Sequence, residues 1–156
     1  IRAWFSMTTF EPIRIWLAGP PVPWARARTG KRGQHFTAPR PRTYQGALQV
    51  VATQTMRGRA PLHCALEMDI QAFLPIPESW SKKTKAGALC GYIRPAVRPD
   101  WDNIGKLVSD ALQGIVYTVD ARIVDGRVAK HYSATPGVAV TVRPVQPPPI
   151  NQAQAA

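Results

Sequence analysis

Residues 12–18, PIRIWLA, alternate along the chain: Ile13, Ile15 and Leu17 fall on one side of an extended backbone, Arg14 and Trp16 on the other. A period of two is the pattern of a half-buried strand, and the turn-forming GPPVP ends it. LHCALEMDIQA, residues 62–72, repeats the alternation. Leu62, Cys64, Leu66, Met68, Ile70 and Ala72 face one way, and His63, Glu67, Asp69 and Gln71 the other.

Between those strands the period lengthens. From Thr43 to Met56, Tyr44, Ala47, Leu48, Val51, Ala52 and Thr55 recur three and four residues apart, which predicts an amphipathic helix ended by Gly58. Ile104, Leu107, Val108, Ala111 and Leu112 predict a second helix, with Gly114 as its C-terminal stop. A proline-bounded stretch, LPIPESWSKKTKAGA, predicts a short helix with Ser79 as N-cap and Lys82, Lys83 and Lys85 on its surface. ARIVDGRVAKHYSA and GVAVTVRP read as two more strands, joined at Thr135-Pro136-Gly137 into an antiparallel hairpin.

The order of strands and helices predicts an α+β fold: one domain, a mixed β-sheet packed by two main helices. It spans residues 12–144. Residues 1–11 read as an N-terminal extension, appended or flexible, and 145–156 as a disordered Pro-rich tail.

Charge changes the picture. Twenty Lys and Arg against nine Asp and Glu leave a net charge of +11, which points to a polyanionic partner, nucleic acid first. Distribution says more than the total: five of the nine acids (Asp100, Asp102, Asp110, Asp120, Asp125) lie within 100–125. The region from Gly19 to Arg42 reads as a long basic loop carrying Arg26, Arg28, Lys31 and Arg32. An acidic focus is thus set in a basic surround.

Two cysteines without a CxxC pair, Cys64 and Cys90, indicate neither a disulfide framework nor a zinc ribbon, and the chain reads as cytoplasmic. His63 beside Cys64 alternates with it along a strand, so the two would point to opposite faces. No stretch approaches the ~20 apolar residues that a membrane span needs.

RPDWDN, residues 98–103, brings two carboxylates one residue apart in front of the second helix. If 100–102 stay extended, Asp100 and Asp102 project to one side and could grip one cation, and Mg²⁺ or Mn²⁺ suits such hard oxygen ligands. The same residues also suit helix capping. Lys106 lies four residues from both Asp102 and Asp110, on one helix face, where it serves either phosphodiester chemistry or a surface ion-pair ladder. Asp110 is about 12 Å along the helix from Asp102 and suits orienting Lys106. Asp120, where the chain returns toward the sheet, could supply a third acid beside the first two.

The run RPDWDNIGKLVSDALQGIVYTVDARIVDGRVAKHY, residues 98–132, resembles the RusA family of Holliday-junction resolvases and related phage endodeoxyribonucleases. LPIPESWSKKTKAGALCGY and the earlier GPPVPWARAR are similar to it as well. The resemblance implies Mg²⁺- or Mn²⁺-dependent cutting of four-way DNA junctions by paired symmetric nicks, in recombination and repair. It also implies a homodimer, with preference for CC steps and no small-molecule cofactor. By the same resemblance Asp100, Asp102 and Asp120 bind the metal and Lys106 is catalytic, with Asn103 in support. Arg26, Arg28, Lys31, Arg32, Lys82, Lys83, Lys85 and Arg98 are the candidates for DNA phosphates. Alternatives are a noncatalytic basic DNA-binding module, and a nuclease acting on flaps or forks. Val119 replaces an acid common before the last Asp, Trp101 stands where the family commonly has an aliphatic residue and is expected in the core, and Gly105 weakens its helix.

Overall fold

Ten residues of uninterrupted alternation, from Leu66 to Leu74 inward and Glu67 to Phe73 outward, make the strand around which the sheet is built. A computed structural model describes residues 10–23, 28–29, 35–36 and 39–145. Its elements are β1 (Ile13–Ala18), β2 (Arg28–Thr29), β3 (His35–Phe36), α1 (Pro39–Met56), β4 (Leu66–Pro75), α2 (Lys82–Leu89), α3 (Trp101–Leu112), β5 (Ile123–Ser133) and β6 (Gly137–Pro144). The fold is α+β: a four-stranded mixed sheet in the order β1-β6-β4-β5, with helices against it and a separate small β2-β3 ladder.

Ile13, Ile15, Leu66, Met68, Ile70, Val138, Val140 and Val142 line one sheet face and meet Leu48, Ala52 and Met56 of α1 and Ile104, Val108, Ala111 and Leu112 of α3. α1 packs on β1 and on α3, while α3 packs on β5. This single layer of helices makes the core. α2 sits against β5, where Trp80 meets Tyr132 edge to face at 5.1 Å.

Three boundaries differ from the sequence reading. α1 starts at Pro39, inside the expected basic loop; prolines in a first helical turn lose no hydrogen bond, because those N–H groups have no helical acceptor anyway. α2 is capped by Ser81, not Ser79, with its hydroxyl accepting from the Thr84 amide at 3.2 Å. β4 starts at Leu66 because Leu62 pairs elsewhere: its amide bonds Val116 O, and its carbonyl accepts from Thr118 N. His63 and Cys64 therefore lie exposed ahead of the strand.

The expected hairpin of β5 and β6 is absent. β4 stands between them, parallel to β5 and antiparallel to β6, so residues 134–136 step across its end. Two strand spacings are roughly 10 Å, within reach of so short a link. Arg26, Lys31, Arg32 and the expected tail from 146 onward lie outside the described residues.

Tyr117 anchors the turn after α3. It is fully buried, its hydroxyl donates to Ser109 O at 2.7 Å, and its carbonyl accepts from the amide of Gly114, whose φ of +78° suits glycine. Tyr117→Phe should lower stability by about 1 kcal/mol through loss of that hydrogen bond. An unchanged urea midpoint would refute the anchoring role.

Candidate active site

α3 delivers the first acid. Its N-cap, Asp100, is extended (φ −70°, ψ 146°), and helical geometry begins at Trp101. Asp102, Lys106 and Ser109 then follow at i, i+4 and i+7 along one helical edge, away from Ile104, Leu107, Val108 and Ala111 in the core. Asp120 arrives from the other direction, at the start of a single 3₁₀ turn, Asp120–Arg122, and its amide donates to the Gln113 side-chain oxygen at 3.1 Å.

Immediately afterwards β5 carries a bulge. Leu66 pairs with Ile123 but Glu67 pairs with Asp125, so Val124 is the extra residue and the facing of the strand reverses there. Ile123 consequently turns toward the helices, and Gly126 and Val128 follow it there.

These pieces enclose a cleft of about 570 Å³ with an apolar floor of Met68, Ile70, Ile123 and Val128. Asp102, Asn103, Lys106, Ser109, Asp120 and Arg127 line it, with Trp101 at its edge. α3 lies close over the floor because residue 105 is glycine; a Cβ there would stand 3.2 Å from Val128 Cγ2. The helix-weakening Gly105 of the sequence is thus what lets the acid-bearing helix sit down on β5.

Lys106 Nζ donates to Asp110 Oδ1 at 2.6 Å. That hydrogen bond raises the lysine pKa; partial burial opposes it, and the charges of Asp110 and then Asp120 reinforce it. Tyr117 is pushed far up, first by burial and then by Asp120 and Asp110, which places both acids within electrostatic reach of its hydroxyl.

The structure separates Asp100 from this group. Asp100 lines an adjoining small groove with Pro23, Arg98, Pro99 and Asn103, and Asn103 borders both spaces. The reason is local: two residues apart on an extended chain means the same side, whereas a helical step turns the next side chain by about 100°. Asp100 also makes no capping bond, so the capping reading does not account for it. Among the described residues no three His, Cys, Asp or Glu side chains converge as a metal-binding group.

Lys82 and Lys83 are exposed on α2 and Lys85 is half-buried; none of them lines the cleft. Arg98 is exposed beside Asp100, and Arg28 belongs to β2. Sequence reasoning missed Arg127, which borders the cleft but, alternating with inward-facing Gly126 and Val128, belongs with Asp69 to the opposite sheet face. It missed Lys130 as well. The Lys130 ammonium donates to Val97 O at 2.6 Å and Pro99 O at 3.0 Å, and Arg94 Nε donates to Lys130 O at 2.9 Å, so β5 clasps the segment leading into α3. The opposite sheet face holds a groove with Arg14, Arg127 and Arg143 against Glu67, Asp69 and Asp125. Its charges balance, which makes it a poor seat for a polyanion.

A mixed sheet thus backs a cleft that holds two carboxylates and a lysine. The chain belongs to the RusA family of endodeoxyribonucleases: the family model described as endodeoxyribonuclease RusA matches residues 18–143. It is also similar to the uncharacterized protein YqaN of Bacillus subtilis (strain 168), 34% identical over 137 residues, covering 85% of this chain and 96% of that protein. RusA-family nucleases act on branched DNA and are in general dependent on a divalent metal. No helix among the described residues is long and apolar enough to cross a membrane.

Proposed function

We propose that this protein is a Mg²⁺- or Mn²⁺-dependent endodeoxyribonuclease that resolves four-way DNA junctions by paired symmetric nicks, as a homodimer, in recombination and repair. The observation that carries the reading is the convergence of Asp102, Lys106 and Asp120 on one cleft. Neither carboxylate is engaged in an ion pair or side-chain hydrogen bond among the described residues, whereas Asp110 and Glu67 are both paired.

Two free carboxylates fit the proposed ion, because Mg²⁺ keeps several waters and takes only one or two carboxylates together with substrate phosphate oxygens. Asp102 and Asp120 would hold it directly, and Asp100, across Asn103, would act from the outer side. Bound there, the ion would supply an activated water and neutralise phosphate charge. Lys106, held by Asp110, offers a fixed ammonium to the charge that develops on the phosphate oxygens. Arg98, exposed beside Asp100, flanks the path of the backbone. Lys82, Lys83 and Lys85 on α2, together with the basic residues Arg26, Arg28, Lys31 and Arg32, supply further phosphate contacts.

Labelled four-way junction, fork, flap and duplex, each incubated with Mg²⁺, Mn²⁺ or EDTA, test this directly. The expected result is metal-dependent cutting that is fastest on the junction, in symmetric pairs. Branched DNA left whole with either metal, but bound with steep salt dependence, would identify a noncatalytic DNA-binding module instead. Faster cutting of forks or flaps would replace the junction as substrate.

A further inference from the structure

The side chain between the two acids has no structural task. Trp101 is 64% exposed although it occupies the first turn of a helix whose core face is already filled by Ile104, Leu107, Val108, Ala111 and Leu112. Ring contacts among the described residues involve Trp16, Phe73, His131, Trp80 and Tyr132, not Trp101. It borders the cleft that holds Asp102, Lys106 and Asp120. Two more apolar side chains are exposed in the segments that follow α3, Val119 (43%) beside Asp120 and Val124 (64%) on the bulge.

A hydrated cation and a phosphodiester make no use of an apolar floor or of an exposed indole. A nucleobase makes use of both: its faces stack on an aromatic ring, and its edge needs donors and acceptors. Asn103, on the cleft wall two residues from Trp101, offers both kinds of polar group. The cleft's size, about 570 Å³, leaves room for a nucleotide as well as an ion.

We propose that Trp101 is a specificity-determining residue that stacks on an unpaired nucleobase next to the phosphate in the cleft. This rests on the nuclease reading above and gives its structure selectivity a physical source. A base within an intact duplex is held in its stack and cannot reach a ring beside the backbone without being extruded. At a fork pairing is already broken, and at the centre of a junction the stack is interrupted where the arms meet, so the same contact forms there at lower cost. Phosphate contacts supply affinity common to all DNA; Trp101 supplies the difference.

The test measures binding in EDTA, apart from cleavage. Affinities of the wild type, Trp101→Ala and Trp101→Phe are compared on a four-way junction, on a duplex, and on a junction with abasic sites at the branch point. Trp101→Ala should weaken junction binding about tenfold or more, the usual effect of losing one base-stacking ring, with duplex affinity and the salt slope unchanged. Trp101→Phe should keep most of the preference, and abasic sites should erase the difference between the wild type and Trp101→Ala. An alanine variant that prefers the junction as strongly as the wild type would overturn the proposal. So would equal losses on junction and duplex. Cutting assays on the same preparations keep the two readings apart: a wild type that cuts no branched DNA sinks the nuclease and leaves the stacking result standing, and the converse holds.

Discussion

Asp102→Asn is expected to slow junction cleavage on the order of a thousandfold while leaving junction binding unchanged or tighter. Asparagine keeps the shape of the side chain and removes the charge that would hold the cation. Asp102 lies exposed in the first turn of α3 with no bonded partner among the described residues, so the fold loses little. Its favourable position near the helix N-terminus is worth about 0.3–1 kcal/mol at most. Affinity for DNA without metal should rise, because one anion facing the phosphates is gone. Asp120→Asn should behave alike, being the other acid in the cleft. Asp100→Asn should cost much less, near tenfold, because Asp100 lines the adjoining groove and not the cleft that holds Asp120. Single-turnover rates with Mg²⁺, binding in EDTA and thermal midpoints separate these effects. Full-rate cleavage by Asp102→Asn would remove the acid pair from the mechanism, and equal losses at Asp100 and Asp102 would show that the ion spans both grooves.

What the sequence made legible was whatever short-range periodicity controls. The strands at Ile13–Ala18 and Gly137–Pro144 and the helix through Ile104–Leu112 follow from spacing alone, since burial of one face needs no knowledge of the partner. Pairing was not legible. Thr135-Pro136-Gly137 has the chemistry of a turn whether its strands are neighbours or, as here, are separated by β4. Leu62 keeps the alternation of β4 yet bonds the loop after α3, because a strand pattern does not specify which backbone completes it. At the site, Lys106 and Asp110 fell on one face as their spacing required. Asp100 and Asp102 parted because the helix starts one residue after Asp100, and a boundary error of one residue turns a side chain to another face. Trp101, three residues before buried Ile104, has core spacing but lies at the open end of the helix, where the ring reaches the cleft edge.

Lys106→Met should lower the turnover rate by about two to three orders of magnitude, with a smaller effect on substrate binding. The reason is the charge, not a proton. With its pKa raised above the ordinary lysine value, chiefly by the bond to Asp110, Lys106 is an ammonium throughout the neutral range and well into the alkaline one, so it cannot serve as a general base there. A fixed cation next to the reacting phosphate stabilises charge that exists only in the transition state, and this lowers the barrier without tightening the ground state. Lys106→Arg should therefore retain part of the rate, while Met, of similar length but neutral, should not. Asp110→Asn supplies the pH test. Removing the principal cause of the raised pKa moves any alkaline loss of activity that comes from Lys106 to lower pH. The stability given by the pair follows the same sign: it is complete below the pKa of an unfolded lysine and disappears as pH rises through the higher folded value. For so exposed an ion pair it amounts to only about 0.3–0.5 kcal/mol, so a change in rate far exceeds any change in folding. A Lys106→Met enzyme with undiminished turnover would assign Lys106 and Asp110 to a surface ion pair alone. An alkaline limb unmoved by Asp110→Asn would show that another group, such as a metal-bound water, sets it.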